Sequence, residues 1–198
     1  VYKRQELEGR PSKAWQAWLE GIHFEMPYAQ LVFSERLRQL DESRQRQARL
    51  LRQMRQMASE ETEIAQVIGL LQTIPGVGFL TAMLLATELI DIGRFKTADD
   101  LVAFIGLVPQ VHQSDEKSYT RGLSNRRNAE LRSRLIEAAW TAARKDPALT
   151  MKFGQLTQRM DRNKAIIRIA KLLVKRIRHV WKTKTPYTID IIASPTVL

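Results

Sequence analysis

The sequence predicts an all-α protein: a long helical coiled-coil-like arm followed by a compact helical domain that contains a helix-hairpin-helix. Three observations carry this expectation. Tyr28 to Ile68, about 41 residues, contains neither glycine nor proline. Further along, apolar residues recur at helical spacing between recognisable caps and breakers. A strand-like patch is confined to the tail.

In chain order, Arg10-Pro11-Ser12 opens a short segment whose Trp15 and Trp18 share one helical turn. Pro27 suits the first position of a helix, where its missing N–H leaves no bond unmade. If it is wholly helical, the stretch that follows runs roughly 60 Å at about 1.5 Å per residue. Phe33, Leu37, Leu40, Arg44, Gln47, Leu51, Met54 and Ala58 follow the 4-3-4-3-4-3-4 spacing of a coiled-coil seam. Arg44 and Gln47 weaken its middle, and a buried polar pair there sets register or partner number. The same pattern suits a long amphipathic helix lying on its own domain. Ser59-Glu60-Glu61 joins a capping residue to acids in the next first turn, so the arm ends or bends near Ser59.

A helix is predicted from Glu61, with a break at 74–78 and a second helix over 79–90. Thr97-Ala98-Asp99-Asp100 caps a short helix through Ile105. Residues 106–125 read as polar and irregular, with Pro109 and Gly122 as breakers. A helix over 126–145 places Leu131, Leu135, Ala138 and Ala142 on one face. Asp146-Pro147 starts the next, and Asn163 starts the last, which reaches Lys182. The expected domains are a linker and arm over 1–60, a helical domain over 61–183 and a tail over 184–198 with no identifiable partner.

Composition narrows the partners. The chain has 198 residues, 44% of them hydrophobic, so it can bury a core; its net charge of +11 favours a polyanion. Residues 101–198 carry 19 Lys+Arg against 7 Asp+Glu, residues 61–100 carry 2 against 6, and residues 1–60 carry 11 against 8. The footprint is therefore expected in the C-terminal half. With no cysteine and three scattered histidines, neither a disulfide framework nor a zinc site is expected. No apolar run is long enough for a bilayer and no signal peptide is visible, so a cytoplasmic protein without a membrane partner is expected.

The break, Ile74-Pro75-Gly76-Val77-Gly78, has two readings. In the first, Gly76 and Gly78 bring backbone close to a phosphate, which sits on the unpaired amides that start the second helix. In the second, the glycines only let two apolar helices pack closely. The last helix offers a different signal. Lys164, Arg168, Lys171, Lys175, Arg178 and Lys182 repeat at 4, 3, 4, 3, 4, with Ile166, Ile169, Leu173, Ile177 and Val180 on the opposite face. No acid lies between Arg162 and Ile189, so nothing local in sequence neutralises the stripe, and phosphate tracking is expected.

Gly106-Leu107-Val108-Pro109, His112-Gln113-Ser114, Asn128, Leu131-Arg132, Leu135 and Glu137-Ala138-Ala139-Trp140 follow the Pro-Gly break in order. In this combination the chain resembles the C-terminal domain of insertion-sequence transposases of the 110/116/902 class, relatives of the pilin-gene inverting recombinase. The opening "RPSKAW" and the long arm resemble the linker these enzymes place before that domain, so the likeness runs from Arg10 to Lys182.

The resemblance implies a bacterial enzyme acting at the nucleoid that cuts and rejoins DNA, with a structured guide RNA as a further partner. Ser114 takes the position of its nucleophile, and Arg121, Arg126, Arg127 and Arg132 become candidates to clamp phosphates nearby. It implies that a divalent metal, magnesium as the expected ion, is held by four carboxylates of a separate RuvC-like domain. No such set is recognisable in this chain, which is then expected to be the C-terminal part, with no metal of its own. The arm is expected to pair copies into a homodimer or a higher oligomer. His112 is a proton shuttle or simply a polar loop residue. Two positions depart from the pattern: Asp115 stands where the family has glycine after the serine, and Arg127 where it has glycine before Asn128. A carboxylate beside the nucleophile repels a phosphate. The alternatives are a non-catalytic helical module that binds nucleic acid, and a protein-interaction arm with a basic surface.

Overall fold

A computed structural model describes residues 13–114, 117–123 and 128–189, with the backbone alone for the stretch from Pro109 to Leu123. The described residues fall into two compact units divided between Met57 and Ala58. In the first, α1 (Lys13–Glu20) precedes α2, which runs unbroken over Pro27–Glu60, 34 residues, with Pro27 at its start. The Phe24 ring, in the link between them, meets Phe33 edge-on with centroids 5.1 Å apart. Arg44 lies 5.8 Å from the Trp15 ring centroid and donates to Gln16 Oε1 at 3.2 Å. Arg44, one of the two polar residues in the middle of the seam, thus meets α1 of its own chain. A different set of apolar side chains stays open near the start of α2: Tyr28 is 67% exposed, Leu31 71% and Val32 59%.

The second unit follows with α3 (Thr62–Gln72), α4 (Phe79–Leu89), a 3-10 turn (Ile92–Arg94) and α5 (Ala98–Ile105). After the hairpin β1 (Pro109–Ser114) and β2 (Lys117–Leu123) come α6 (Ala129–Lys145), α7 (Pro147–Thr157) and α8 (Arg162–Thr183). α8 touches α3, α5, α6 and α7. Its Ile166, Ile169, Leu173, Ile177 and Val180 are all buried, as the stripe pattern predicts. At about 1.5–3 kcal/mol for each large apolar side chain removed from water, that face makes α8 the spine of the unit.

Local chemistry sets the boundaries. The Thr97 hydroxyl accepts from Asp100 N–H at 3.1 Å and the Asp100 carboxylate accepts from Thr97 N–H at 2.8 Å, a reciprocal capping box that starts α5. Gly106, at φ 83°, ends it, and Leu107 N–H bonds back to Val102 O at 3.1 Å, which seats Leu107 in the core. Asn128 caps α6 through Leu131 N–H at 3.0 Å, and Asp146 caps α7 through Leu149 N–H at 3.0 Å, ahead of Pro147.

The all-helical expectation holds for the fold, with one departure among the described residues. The stretch read as irregular is a two-stranded antiparallel hairpin that pairs Gln110 with Arg121, His112 with Tyr119 and Ser114 with Lys117. Val111, Tyr119 and Thr120 favour extended backbone, and Pro109 is tolerated as the first residue of a strand. The surrounding polar residues hide that preference. The described part of the tail, through residue 189, also has a partner, and residues 190–198 lie outside the described residues. α8 stops at Lys184, at φ 54°, and the extended chain beyond it returns to the domain, where Tyr187 N–H donates to Thr73 Oγ1 at 2.8 Å. No helix among the described residues is long and apolar enough to cross a membrane.

Candidate nucleic-acid interface

The basic stripe of α8 divides into two kinds of residue. Lys164, Arg168, Lys175 and Lys182 are exposed, and Lys171 and Arg178 are half-buried. Lys164, Arg168 and Lys182 make no ion pair among the described residues. Lys175 does: its Nζ lies 3.0 Å from Asp99 Oδ1 on the first turn of α5. The expectation covered only acids near the stripe in sequence, and at this position an acid from another helix pairs it. The acid arrives through the tertiary packing of α5 on α8, which spacing along α8 alone does not reveal.

Arg178 is committed inward. Its Nε and Nη2 donate to Phe95 O at 3.3 and 2.8 Å, and Nη2 also donates to Lys96 O at 2.6 Å. Phe95 is buried and meets Phe104 edge-on, with centroids 5.2 Å apart. The Arg94 guanidinium stacks 4.8 Å from the centroids of both rings. Arg94 and Lys96, both exposed, thereby join the α8 stripe at its junction with α5, and sequence reasoning missed them. The signal was present: they are the two cations of the otherwise acidic stretch 61–100. Asp100 shares the junction. The bond from Thr97 N–H is the main cause that holds its carboxyl below the ordinary aspartate value, and the Arg178 and Lys96 charges act in the same sense.

The two glycines of the break do different things. Gly76 has φ 92°, and a Cβ there would sit 2.3 Å from Ala138 O and 3.1 Å from Ala142 N. Its missing side chain lets the turn lie directly on the backbone of α6, so packing explains it. Gly78 starts α4 at φ −87°, is exposed, and has nothing within 4 Å of where a Cβ would stand. The side where a Cβ would project is open at Gly78, whereas at Gly76 it is filled by α6.

The family-motif residues separate in the same way. Leu131, Leu135 and Ala139 are fully buried and Ala138 nearly so. Trp140 meets Phe153 edge-on at 5.6 Å and carries Arg162 over its ring at 6.0 Å. These residues, with the Asn128 cap, are occupied in folding. Ser114 is the last residue of β1, opposite Lys117. Arg121 pairs with Gln110 near the other end of the hairpin, four residues along the strand, about 13 Å at the usual rise. The backbone register therefore does not bring Arg121 beside Ser114. Arg132 is half-buried on the first turn of α6. Arg126 and Arg127 lie outside the described residues, as do Asp115 and Glu116. Among the described residues no three of His, Asp and Glu gather as a group that could hold a metal ion.

Comparison with known proteins agrees with the motif. The profile of the transposase IS116/IS110/IS902 family matches residues 68–155. The chain is 38% identical over 118 residues to the transposase for insertion sequence element IS1111A of Coxiella burnetii, covering 58% of this chain and 32% of that protein. It is 32% identical over 123 residues to the transposase for insertion sequence element IS1328 of Yersinia enterocolitica, 60% of this chain and 36% of the relative. To a probable family 20 transposase of Pseudomonas aeruginosa it is 30% identical over 152 residues, 74% of this chain and 44% of the relative. The chain thus spans roughly a third of the length of these curated relatives.

Proposed function

From the match of residues 68–155 to the profile of the transposase IS116/IS110/IS902 family, we propose that this chain is the DNA-engaging C-terminal part of a transposase, with α8 as its phosphate-tracking face. The observation that carries the reading is the row of exposed cations on α8. Lys164, Arg168 and Lys182 make no ion pair among the described residues, on a helix whose other face builds the core. A solvated face normally mixes signs and gains i,i+3 and i,i+4 pairs, as Arg38 does with Glu35 and Glu42 on α2. A one-sign row instead suits a polyanion, whose released counterions drive binding.

Within this reading, Ser114 is the nucleophile. Its hydroxyl oxygen forms a bond to a DNA phosphorus while the bond from that phosphorus to a sugar oxygen breaks, and the proton goes to the leaving oxygen. The phosphoserine ester keeps the bond energy for rejoining. The divalent metal belongs to a RuvC-like domain outside this chain. A structured RNA is the second partner. Pairing of copies through α2 is proposed on its exposed Tyr28, Leu31 and Val32, since α1 already occupies part of the expected seam. Sedimentation of wild type against Val32→Glu tests the pairing, with a monomeric wild type overturning it.

The first test of function is binding. Fluorescence anisotropy with a short duplex and with an RNA hairpin, across a salt series, is expected to give a steep salt dependence. In Lys164→Ala/Arg168→Ala the slope on a log–log plot falls by about 0.9 for each phosphate that is no longer neutralised. Negligible binding at low salt would leave the charge as a solvated surface and the arm as the functional part. DNA cleavage that survives with Ser114 replaced in the full-length enzyme would favour the non-catalytic module.

A further inference from the structure

We infer that Arg178 is a positioning residue: it fastens the loop that carries Arg94 and Lys96 to α8, so that the DNA-backbone surface is built from two elements. The inference rests on the reading that α8 faces nucleic acid. By periodicity Arg178 belongs to the stripe, between Lys175 and Lys182. Its chemistry is otherwise engaged. A guanidinium has five N–H donors in a fixed fork. The Nε–H and both Nη2 protons go to the carbonyls of Phe95 and Lys96, which leaves the two on Nη1 for any outside acceptor.

The loop is pinned on three sides. Phe95 inserts its ring into the core, Arg178 holds the two carbonyls, and the Thr97–Asp100 capping box fixes the start of α5. Arg94 and Lys96 both stay exposed on it. Both cations of the stretch 61–100 therefore stand at one junction, beside Asp99 and Asp100 of the same stretch. Each is held by a separate interaction: the Arg94 side chain by stacking on Phe95 and Phe104, and the backbone of Lys96 by the bond from Arg178 to its carbonyl. A lysine at 178 would keep the charge but not the fork, because an ammonium is a point donor on a flexible stem.

The test compares Lys96→Ala, Arg178→Lys and the double variant on a DNA duplex of about 20 base pairs, with an RNA hairpin of equal phosphate count as the second arm. Lys164→Ala/Arg168→Ala reports on the underlying reading. Lys96→Ala is expected to weaken duplex binding about three- to tenfold at low salt and to lower the salt slope by about 0.9. Arg178→Lys, with charge unchanged, is expected to weaken binding equally, and the double variant to weaken it no further. Arg178→Lys at wild-type affinity, or Lys96→Ala adding in full to Arg178→Lys, overturns the positioning role. If the weakening by Lys164→Ala/Arg168→Ala persists in that case, the reading of α8 stands alone. A wild type that binds neither nucleic acid overturns both, and coupling seen with the RNA hairpin but not the duplex overturns the assignment to DNA. If Arg178→Lys does not fold, Lys96→Glu replaces it: weakening beyond that of Lys96→Ala is expected, and unchanged affinity overturns the two-element surface.

Discussion

The Tyr187 hydroxyl donates to Asp146 Oδ2 at 2.5 Å across 41 positions of chain, which fastens the segment after α8 to the corner between α6 and α7. Arg176 Nη1 reaches the same carboxylate oxygen at 2.5 Å and lies 5.2 Å from the Tyr187 ring centroid. Asp146 is almost fully buried, while Arg176 keeps part of its side chain in solvent. One carboxylate therefore caps α7, pairs a cation and holds the tail.

Asp146→Asn is expected to lower stability by about 2–3 kcal/mol in urea unfolding, because a partly buried guanidinium loses its counter-charge. Tyr187→Phe removes one hydrogen bond and is expected to cost about 1 kcal/mol. Burial by itself raises the Asp146 carboxyl. The bonds from Tyr187, Leu149 N–H and Arg176 together outweigh it and hold the group below the ordinary value of 3.8. A depressed folded value means that the unfolded chain binds the proton first as pH falls. The contribution is therefore present at neutral pH and is lost as pH drops below about 4. The stability gap between wild type and Asp146→Asn should narrow over that range. A gap constant down to pH 3 would contradict the assignment.

The glycines of the break separate packing from ligand binding. Gly76→Ala combines a positive φ with a Cβ 2.3 Å from Ala138 O, and is expected to cost about 2–4 kcal/mol in thermal or urea unfolding. Gly78→Asp enters open space at a position where an acid caps a helix well, so stability should hold or rise slightly. If the start of α4 faces a phosphate, the same change weakens duplex binding at low salt. Unchanged binding leaves packing as the role of the break.

Most of the helices were legible because each is bounded by residues that act locally. Pro27, Thr97, Asp146 and Pro147 mark their starts whatever surrounds them, and the buried face of α8 is written in its own spacing. The hairpin of Ser114 was not legible, because its extended-chain residues are scattered among polar ones. The interface was half legible. A charge stripe can be read along one helix, but Asp99 meets Lys175 and Lys96 joins Arg178 only through the packing of α5 on α8, across some 80 positions of chain.

The Asp99–Lys175 pair gives an expectation of its own. It is largely exposed, so it contributes little to folding. A bound phosphate must nonetheless displace or share it. Asp99→Asn is expected to leave the melting temperature nearly unchanged, to tighten duplex binding about two- to fivefold at low salt, and to lose that gain in a Lys175→Ala background. A gain that persists without Lys175 would mean that Asp99 acts through the general field alone.

Ser114 needs a different readout, since binding alone does not test a nucleophile. In a protein that joins this chain to the metal-holding domain, DNA cleavage should leave strand and protein covalently linked. The link is detected as a denaturant-resistant gel shift, and the adducted peptide should contain Ser114. Ser114→Ala is expected to abolish both link and cleavage while duplex affinity stays within about twofold, because a neutral hydroxyl adds little to a surface governed by charge. Asp115, next in sequence, adds a sign that can be checked. Its charge opposes an incoming phosphate, so Asp115→Gly should raise the cleavage rate, by about two- to tenfold for a repulsion of roughly 0.5–1.4 kcal/mol. A link at another residue, or cleavage that survives Ser114→Ala, would remove the serine from the chemistry.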